Sequence, residues 1–374
     1  MLFIMANKTL SPPPPSLPDD TWRREFRRKL LAWYRQHARD LPWRENRDPY
    51  RVWLSEIMLQ QTQVATVIPY FRRFLAALPT IADLAAAREE EVLRLWEGLG
   101  YYRRARQLHA AAKQIVAEHG GEFPRDFEAI RALPGIGRYT AGAIASIAFD
   151  SPQPILEANT IRLFARLLGD RADVSRPAEQ AKLWDFAAAL LPSRGSPGEI
   201  NQALMELGSG ICTPREPSCL LCPARELCPT AAANAWREIP APKAPKQYED
   251  RLEAAVVIRR RGKVLLRRCG ADERWAGLWD FPRFAVAGDS ESSASDELPA
   301  AIERLTGLVA SYERELARIK HGVTRFRITL LCLEATIGDA KASLSGESLR
   351  WVALAELDQM PLSTTGRKIA KMLE

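Results

Sequence analysis

The sequence lacks any apolar run of the length that a membrane-spanning helix needs. Such a helix takes about 20 consecutive apolar residues, and no stretch of the 374 residues reaches that length. The apolar start, MLFIM, is too short for a signal peptide. We therefore expect no membrane partner and a cytoplasmic protein, in which cysteines stay reduced and free to bind metal.

Cysteine is also scarce, but four of the six cysteines lie together in the segment 212–228. Their spacing is Cys212-x6-Cys219-x2-Cys222-x5-Cys228, and the segment has no periodic pattern that would bury a core of its own. A structural zinc ion and a [4Fe-4S] cluster both take four thiolates, but zinc sites usually combine two short spacings and this loop has one. The spacing therefore favours the [4Fe-4S] cluster. Two disulfides are the remaining alternative, and they need an oxidising compartment.

Positive charge is in excess, with a formal net charge of +7 and a pI near 9.2. Nearly all of this excess belongs to the first 247 residues. A basic surface favours a polyanionic partner, although many basic proteins bind no nucleic acid.

The length predicts two domains, and changes in composition indicate where they meet. The proline-rich start predicts a disordered leader over 1–19, and the pattern over 20–230 is helical. A stretch rich in Ala, Pro and Lys predicts a linker over 231–247. Beyond it, strand-like runs predict a small α+β domain over 248–374. The expected architecture is therefore an all-α domain followed by a small α+β domain.

Apolar periodicity also predicts the individual elements. Helices in the first domain are expected at 51–77, 89–97, 103–118, 138–149, 158–168 and 178–191. In the second domain we expect a hairpin turn at Arg261-Gly262, strands at 309–318 and 323–333, and helices at 296–306 and 363–373.

A glycine-containing turn between two short helices predicts an anion site. Asp126 is a good N-cap for the first helix, and the second begins at Arg138. Gly135 and Gly137 in the intervening PGIG allow a tight turn whose backbone N–H groups face outward at a helix N-terminus. Such a turn suits a DNA phosphate, although an ordinary helix–turn–helix connection is the alternative.

The turn and the cysteines together resemble one superfamily of enzymes. LPGIGRYTA is similar to the helix-hairpin-helix of the endonuclease III superfamily of DNA glycosylases, in which a four-cysteine iron–sulfur loop with this spacing lies downstream. Superfamily members that cleave the DNA backbone have a lysine where this chain has Tyr139. A phenol cannot form a Schiff base, so the resemblance implies a monofunctional glycosylase that leaves an abasic site.

A carboxylate within an apolar helix is the candidate general acid. Asp48-Pro49 predicts a helix start, and Glu56 then has mostly apolar neighbours three and four positions away. Burial on such a face raises the pKa of a carboxyl group, which a general acid needs at neutral pH. A Glu at the edge of the apolar stripe, pointing to water, is the alternative.

The surrounding residues resemble a narrower family. PWRENRDPYRVWLSEIMLQQTQVATVIPYF is similar to the adenine DNA glycosylase family. The resemblance implies that Glu56 protonates a flipped adenine at N7, and that Gln61 and Tyr101 wedge into the duplex. Further residues match positions that line the family's adenine pocket: Trp43, Arg44 and Gln202.

The second carboxylate departs from the family pattern. The family places an aspartate in an LDGN-type motif to stabilise the cationic sugar, whereas this chain reads LEAN. Glu157 occupies the Asp position, Ala158 the Gly position, and Asn159 matches. We expect Glu157 to stabilise the cation, with a slower reaction or a shifted specificity as the alternative. Asp150 is a weaker candidate that more readily ends the preceding helix.

The C-terminal part resembles a Nudix-like domain through GLWDFP at 277–282. The four charged positions of the Nudix motif are occupied by Ala300, Ala301, Arg304 and Leu305. Because magnesium needs oxygen ligands, we expect a binding module rather than a pyrophosphatase. The resemblance implies that this module reads 8-oxoguanine.

The recognition loop of that module is altered. Where the family has a pattern similar to HTFSHF, this chain has HGVTRF at 321–326. Thr324 keeps a hydroxyl group, and Arg325 stands in place of histidine. Arginine can pair with a purine edge or bind a phosphate.

The predicted substrate is double-stranded DNA with adenine mispaired with 8-oxoguanine or guanine. We expect the protein to act as a nucleoid-associated monomer. Two alternatives stay open: a related glycosylase for mismatched thymine or an oxidised pyrimidine, and a catalytically weak lesion-binding protein.

Overall fold

The computed structural model describes residues 17–192, 195–242, 247–288, 290–338 and 348–374. These residues fall into two compact units. The first unit combines residues of 17–57 and 123–242, and the second combines residues of 58–122 with the C-terminal part of the chain from 247. The segment 58–122 therefore belongs to the same compact unit as the predicted second domain.

The described residues up to 232 form α-helices joined by turns and loops. In chain order the helices are α1 (Asp20–His37), α2 (Pro49–Leu59), α3 (Val64–Ala77), α4 (Ile81–Ala86), α5 (Glu89–Leu95), α6 (Arg103–His119), α7 (Phe127–Ala132), α8 (Arg138–Phe149), α9 (Ala158–Leu168), α10 (Pro177–Ala189), α11 (Pro197–Glu206) and α12 (Pro229–Ala232). Five of the six predicted helices are confirmed to within two residues at each end. In the described part of the chain, no helix has the length and apolar character needed to cross a membrane.

The predicted helix over 51–77 is wrong, because the chain turns between α2 and α3. Gln61 has a left-handed backbone with φ of 56°. The buried guanidinium of Arg104 donates to the carbonyl oxygens of Met58 and Gln60 at 3.0 and 2.6 Å. These carbonyl oxygens find a side-chain donor, which helix ends require, so α2 can stop there.

Close backbone approaches fix helix α8 in the first unit. A Cβ atom on Gly142 would lie 2.4 Å from the carbonyl oxygen of Pro154, and one on Gly198 would lie 2.4 Å from that of Ser146. The Asn201 amide donates to the Ser146 hydroxyl and the Gln153 carbonyl at 2.8 and 2.9 Å. Larger residues would push α8 away from its neighbours.

Around these contacts the first unit has a core of large apolar side chains from α1, α9, α10 and α11. Its buried members include Phe26, Leu30, Phe164, Phe186 and Leu204. Residues Ala235 and Ile239, which fall in the predicted linker 231–247, are buried in this same core. Arg166 donates to the carbonyl of Ile239 at 2.9 Å, so the described start of that segment packs against α9. Residues 243–246 of the predicted linker and 1–16 of the predicted leader lie outside the described residues.

The C-terminal part contains a mixed sheet between two helices. The strands are β1 (Glu249–Arg260), β2 (Lys263–Arg268), β3 (Trp279–Asp280), β4 (Arg283–Ala285), β5 (Ala310–Val323), β6 (Phe326–Ile337) and β7 (Leu349–Ala353), with helices α13 (Glu291–Thr306) and α14 (Thr364–Met372). The sheet order is β3-β2-β1-β6-β5, with β4 paired to β1 and β7 to β2. Strands β1 and β6 are parallel, and the other neighbours are antiparallel.

Strand β1 is buried on both faces, which explains its continuous apolar run. Ala254 and Val256 pack with α13 on one face, and Ala255 and Val257 pack with α14 on the other. The predicted turn at Arg261-Gly262 is confirmed: both residues have positive φ, and they join β1 to β2. The predicted strands and helices of this domain are also confirmed, although β5 and α13 are each several residues longer than predicted, and β6 begins three and ends four residues later than predicted.

Candidate active site

Glu56 lies inside the first unit, not at the exposed edge of its helix. Only 6% of the residue is exposed to solvent. The Tyr139 hydroxyl donates a hydrogen bond to the Glu56 carboxylate at 2.8 Å. This contact joins α2 to the second residue of α8, 83 positions away in the chain.

The environment of Glu56 favours its protonated form. Burial raises its pKa to about 7, because a charge without water is costly. The hydrogen bond from Tyr139 opposes this rise, the negative charge of Glu157 adds to it, and the positive charge of Arg44 opposes it. A carboxylic acid with such a pKa can donate a proton at neutral pH.

Tyr139 stays a hydroxyl donor over the same pH range. Burial, followed by the charges of Glu56 and Glu157, holds its pKa well above the usual value.

Tyr139 follows a turn in which Gly135 has φ of +78° and Gly137 is the N-cap of α8. A Cβ atom on Gly137 would meet no other atom within 4 Å, so this side of the turn is open to a ligand. Asp126 caps α7 as predicted, accepting from the Ala129 N–H at 2.9 Å.

Glu157 is the N-cap of α9. Its carboxylate accepts from the N–H groups of Asn159 and Thr160 at 2.9 and 3.0 Å, and from the Asn159 side chain at 3.2 Å. Thr160 returns the contact by accepting from the Glu157 N–H at 2.8 Å. The carboxylate is therefore held at a helix N-terminus, where negative charge is stabilised. Its negative charge raises the pKa of Glu56.

Tyr34 contacts both Arg44 and Gln202, and Glu206 binds Arg44; sequence reasoning missed both of these residues. Arg44 donates to the buried carboxylate of Glu206 at 2.7 Å, and its guanidinium lies 5.6 Å from the Tyr34 ring centroid. The Tyr34 hydroxyl contacts the Gln202 amide oxygen at 3.5 Å. Trp43, which immediately precedes Arg44 in the chain, is buried. The signal that could have identified Glu206 is an acid within the apolar stretch that ends α11.

Asp150 ends helix α8 in a left-handed conformation, as predicted. It pairs with Arg47 and accepts from the Ser196 hydroxyl at 2.7 Å. These partners occupy the carboxylate of Asp150, as Arg44 occupies that of Glu206, so Glu56 and Glu157 stay the candidate catalytic acids.

Gln61 and Tyr101 lie in the second unit, each at the tip of a turn. Both have left-handed backbones, with φ of 56° and 48°, and both are exposed, Tyr101 by 52%. An exposed aromatic ring on a fixed turn is suited to contact with stacked bases. Arg104, which sequence reasoning also missed, lies beneath these turns.

The four cysteines line one pocket, together with Leu163 and Arg166. All four are free thiols. Burial raises the pKa of Cys222 to about 12, so a bound metal would have to displace its proton. Among the described residues no group of three or more His, Cys, Asp or Glu side chains is arranged to hold a metal ion.

The altered hairpin 321–326 joins β5 to β6. Thr324 has a left-handed backbone with φ of 54°, and its hydroxyl donates to the Val323 carbonyl at 2.7 Å. Arg325 is 70% exposed in its side chain and lies 5.0 Å from the Phe326 ring centroid. Both side chains are accessible to a partner.

Comparison with known proteins assigns the fold of both parts. The family described as HhH-GPD superfamily base excision DNA repair protein matches residues 54–188, and the NUDIX domain matches residues 254–372. A relative named adenine DNA glycosylase from Mus musculus is 34% identical over 403 residues, covering 93% of this chain and 78% of its own length. The chain belongs to the adenine DNA glycosylase family.

Two further relatives are also named adenine DNA glycosylase, and one solved structure of another glycosylase is similar to part of the chain. The Homo sapiens adenine DNA glycosylase is 34% identical and covers 93% of this chain and 74% of its own length. That of Buchnera aphidicola subsp. Acyrthosiphon pisum is 36% identical over 69% of this chain and 74% of its own. The structure of a thermostable thymine-DNA glycosylase is 30% identical with a TM-score of 0.53, covering 57% of this chain and 98% of that chain.

Family membership confirms the resemblance stated from the sequence motifs and the fold class of a helical glycosylase domain followed by a Nudix-like domain. The adenine DNA glycosylase family also identifies the chain as an enzyme of base excision repair. The roles of individual site residues stay predictions.

Proposed function

We propose that this protein hydrolyses the N-glycosidic bond of adenine mispaired with 8-oxoguanine or guanine in double-stranded DNA. The product is an abasic site in an uncut strand. One observation carries the proposal: a buried carboxylic acid, Glu56, whose pKa is about 7, receives a hydrogen bond from Tyr139.

The reaction begins with extrusion of the adenine, since its atoms cannot be reached inside the duplex. Gln61 and Tyr101 fill the gap left in the base stack. The Glu56 carboxyl then transfers its proton to N7 of the purine. The bond between C1′ and N9 breaks, and its electron pair leaves with the neutral adenine.

Charge changes at two carboxyl groups accompany this step. Glu56 becomes a carboxylate, which the Tyr139 hydroxyl stabilises through its 2.8 Å hydrogen bond. The sugar becomes an oxocarbenium-like cation, and the carboxylate of Glu157 stabilises it electrostatically. Water then adds to C1′, and Glu56 accepts the proton that this water loses.

Tyr139 also supports the monofunctional outcome. A lysine amine at this position would attack C1′ and lead to strand cleavage. The pKa of Tyr139 lies well above the ordinary phenol value, so it supplies a hydrogen bond rather than a nucleophile.

DNA backbone binding is assigned to the turn at Gly135 and Gly137. The N-terminus of α8 offers backbone N–H groups and a positive dipole end to a phosphate. The open space beside Gly137 supports a close approach of the DNA backbone.

The four cysteines would hold a [4Fe-4S] cluster. Their shared apolar pocket supports this assignment. A structural zinc ion would also take four thiolates, but the single short spacing among the four cysteines favours the cluster. When bound, the cluster supplies a cross-link that organises the loop. Visible absorbance at about 400 nm, together with iron and sulfide analysis, tests the cluster assignment. A colourless protein that contains zinc would overturn it.

Recognition of 8-oxoguanine is assigned to the hairpin with Thr324 and Arg325. The exposed Thr324 hydroxyl can accept from the N7–H that an oxidised guanine carries. Arg325 can donate to a purine edge or to a phosphate. A stronger preference for A:8-oxoG over A:G in the native protein than in a Thr324→Ala variant is expected.

A second candidate function is removal of mismatched thymine. It is supported by the 30% identity with the thymine-DNA glycosylase structure and by Glu157 in place of aspartate. Single-turnover assays on A:8-oxoG, A:G, G:T and thymine glycol duplexes distinguish the candidates, with Glu56→Gln as the inactive control. Release of adenine alone supports the proposal. Release of thymine alone, or tight binding without release that Glu157→Asp restores, would overturn it.

A further inference from the structure

A buried arginine connects the two turns that carry Gln61 and Tyr101. Arg104 is 8% exposed and lies in the first turn of α6. One end of its guanidinium donates to the carbonyls of Met58 and Gln60 at 3.0 and 2.6 Å. The other end donates to the Thr62 hydroxyl, and to the Leu99 and Gly100 carbonyls at 3.3 and 3.1 Å.

These contacts flank each exposed side chain. Gln60 and Thr62 are the immediate neighbours of Gln61, and Gly100 immediately precedes Tyr101. The Arg104 guanidinium also lies 5.6 Å from the Tyr101 ring centroid. The same planar group therefore fixes the backbone of both turns and lies close to one of the two side chains that they present.

The turns need such support because of their backbone geometry. Gln61 and Tyr101 both adopt left-handed φ angles, which cost non-glycine residues free energy and persist only when surrounding contacts hold them. Gly98 and Gly100 in the second turn also have positive φ. The backbone of that turn therefore has little conformational preference of its own. An arginine can hold many carbonyls at once because its five donors lie in one rigid plane.

We propose that Arg104 is a positioning residue for base extrusion: it holds Gln61 and Tyr101 in the arrangement with which they enter the duplex. This inference rests on the proposed function for the role of those two side chains. Burial lowers the pKa of Arg104 to about 10, which leaves it charged at neutral pH.

The test compares three variants with the native protein. Arg104→Lys keeps the charge but loses the planar fork, and Thr62→Ala removes one acceptor with less risk to folding. Lys113→Ala is the matched control, since it removes an exposed cation from the same helix. Each variant is assayed for single-turnover release of adenine, for fluorescence of 2-aminopurine placed at the target position, and for affinity to a duplex that already contains an abasic-site analogue.

We expect Arg104→Lys to slow adenine release by about ten- to a hundredfold, since misplacement of about 1 Å has effects of this size. Its 2-aminopurine signal should fall in parallel, while affinity for the abasic duplex changes less than about threefold because no base has to be extruded. Thr62→Ala should show the same pattern more weakly. Lys113→Ala should match the native protein.

A double variant separates positioning from general destabilisation. If Arg104 acts through Tyr101, then Tyr101→Ala combined with Arg104→Lys should be little slower than Tyr101→Ala alone. Multiplied effects, an unchanged 2-aminopurine signal, or equal losses on the abasic duplex would overturn the inference. A native protein that releases no adenine would instead overturn the proposed function, and the two failures are therefore distinct.

Discussion

At the scale of single residues, two opposing effects determine the pKa of Glu56. Burial favours the neutral acid, and the Tyr139 hydrogen bond favours the carboxylate. Burial is the larger effect, so the pKa settles at about 7 rather than at the usual value of 4.5. The acid is therefore available at neutral pH, and the donor that opposes it stabilises the carboxylate once the proton has left.

This balance predicts the effect of Tyr139→Phe on the pH profile. Loss of the hydrogen bond removes a contact that lowers the pKa of Glu56, so the pKa should rise further above 7. The rate of adenine release should then fall at a higher pH than in the native protein. Single-turnover rates between about pH 5.5 and pH 9 measure the midpoint.

Tyr312→Phe is the control, because Tyr312 also donates to a glutamate, Glu291, at 2.7 Å in the C-terminal part. Its midpoint should equal that of the native protein. A midpoint for Tyr139→Phe at or below the native one would show that the hydroxyl does not act on Glu56 as the geometry indicates.

A second prediction concerns stability and the same acid. The folded-state pKa of Glu56 is raised, so the folded protein binds more protons than the unfolded chain between about pH 4.5 and 7. Its contribution to stability is present below that window and is lost as the pH rises through it. Glu56→Gln removes this dependence and should be about 3 kcal/mol more stable than the native protein at pH 8.

Urea unfolding at about pH 5 and pH 8 measures this difference, which should be much smaller at the lower pH. The same variant should release adenine at least about a hundredfold more slowly. A Glu56→Gln protein that is less stable than the native protein at the higher pH would contradict the burial of an ionisable acid at this position.

At the scale of secondary-structure elements, Glu157 has two functions that the sequence motif does not separate. It caps α9, and it carries the charge that faces the candidate site. The neighbouring Ala158 is the first residue of the helix, a position with ordinary helical geometry where alanine is favourable. The absence of the family's glycine is therefore compatible with this local structure.

Substitution of Glu157 can separate the cap from the charge. Glu157→Gln keeps an oxygen acceptor for the helix N–H groups, so its stability should stay within about 0.5 kcal/mol of native, whereas Glu157→Ala should lose about 1 kcal/mol. Both should slow adenine release, because both lose the charge. Asp19→Ala, which removes the cap of α1, should lose similar stability with a native rate. A native rate for Glu157→Gln would limit this residue to capping.

The elements also indicate how far the sequence could predict the fold. Asp126 and Gly137 act on groups within four residues, and their roles at the starts of helices were predicted correctly. The end of α2 was not predicted, because the donor for its last carbonyls is Arg104, 46 and 44 positions downstream of the two acceptors. The pairing of Glu56 with Tyr139 likewise could not be read from local pattern, since no periodicity connects residues 83 positions apart.

At the scale of the whole molecule, the segment 58–122 is held by the C-terminal part of the chain. Arg367 in α14 donates to the Glu97 carboxylate at 2.6 and 3.1 Å, 270 positions away. The Trp279 indole donates to Glu90 at 2.9 Å. The change in composition near residue 240 therefore does not mark the boundary between the two packed units. Composition alone suggests that Glu90 and Glu97 are exposed to solvent, but both bind residues of the C-terminal part.

The Arg367–Glu97 pair predicts a stabilising role for this packing. The two side chains are 15% and 14% exposed. Arg367→Met would leave this mostly buried acid with only the longer contact to Arg94 at 3.8 Å and would remove the donor from the Leu357 and Met360 carbonyls. We expect a cost of about 3 kcal/mol in the free energy of unfolding. Adding Glu97→Gln should recover part of this loss. Arg28→Met, which breaks an exposed pair, should cost less than about 0.5 kcal/mol. Glu97 precedes the turn with Tyr101, so Arg367→Met should also slow adenine release from A:G duplexes, where no oxidised base is present. Equal stability of the Arg367→Met and Arg28→Met proteins in urea would show that the C-terminal part does not hold this segment.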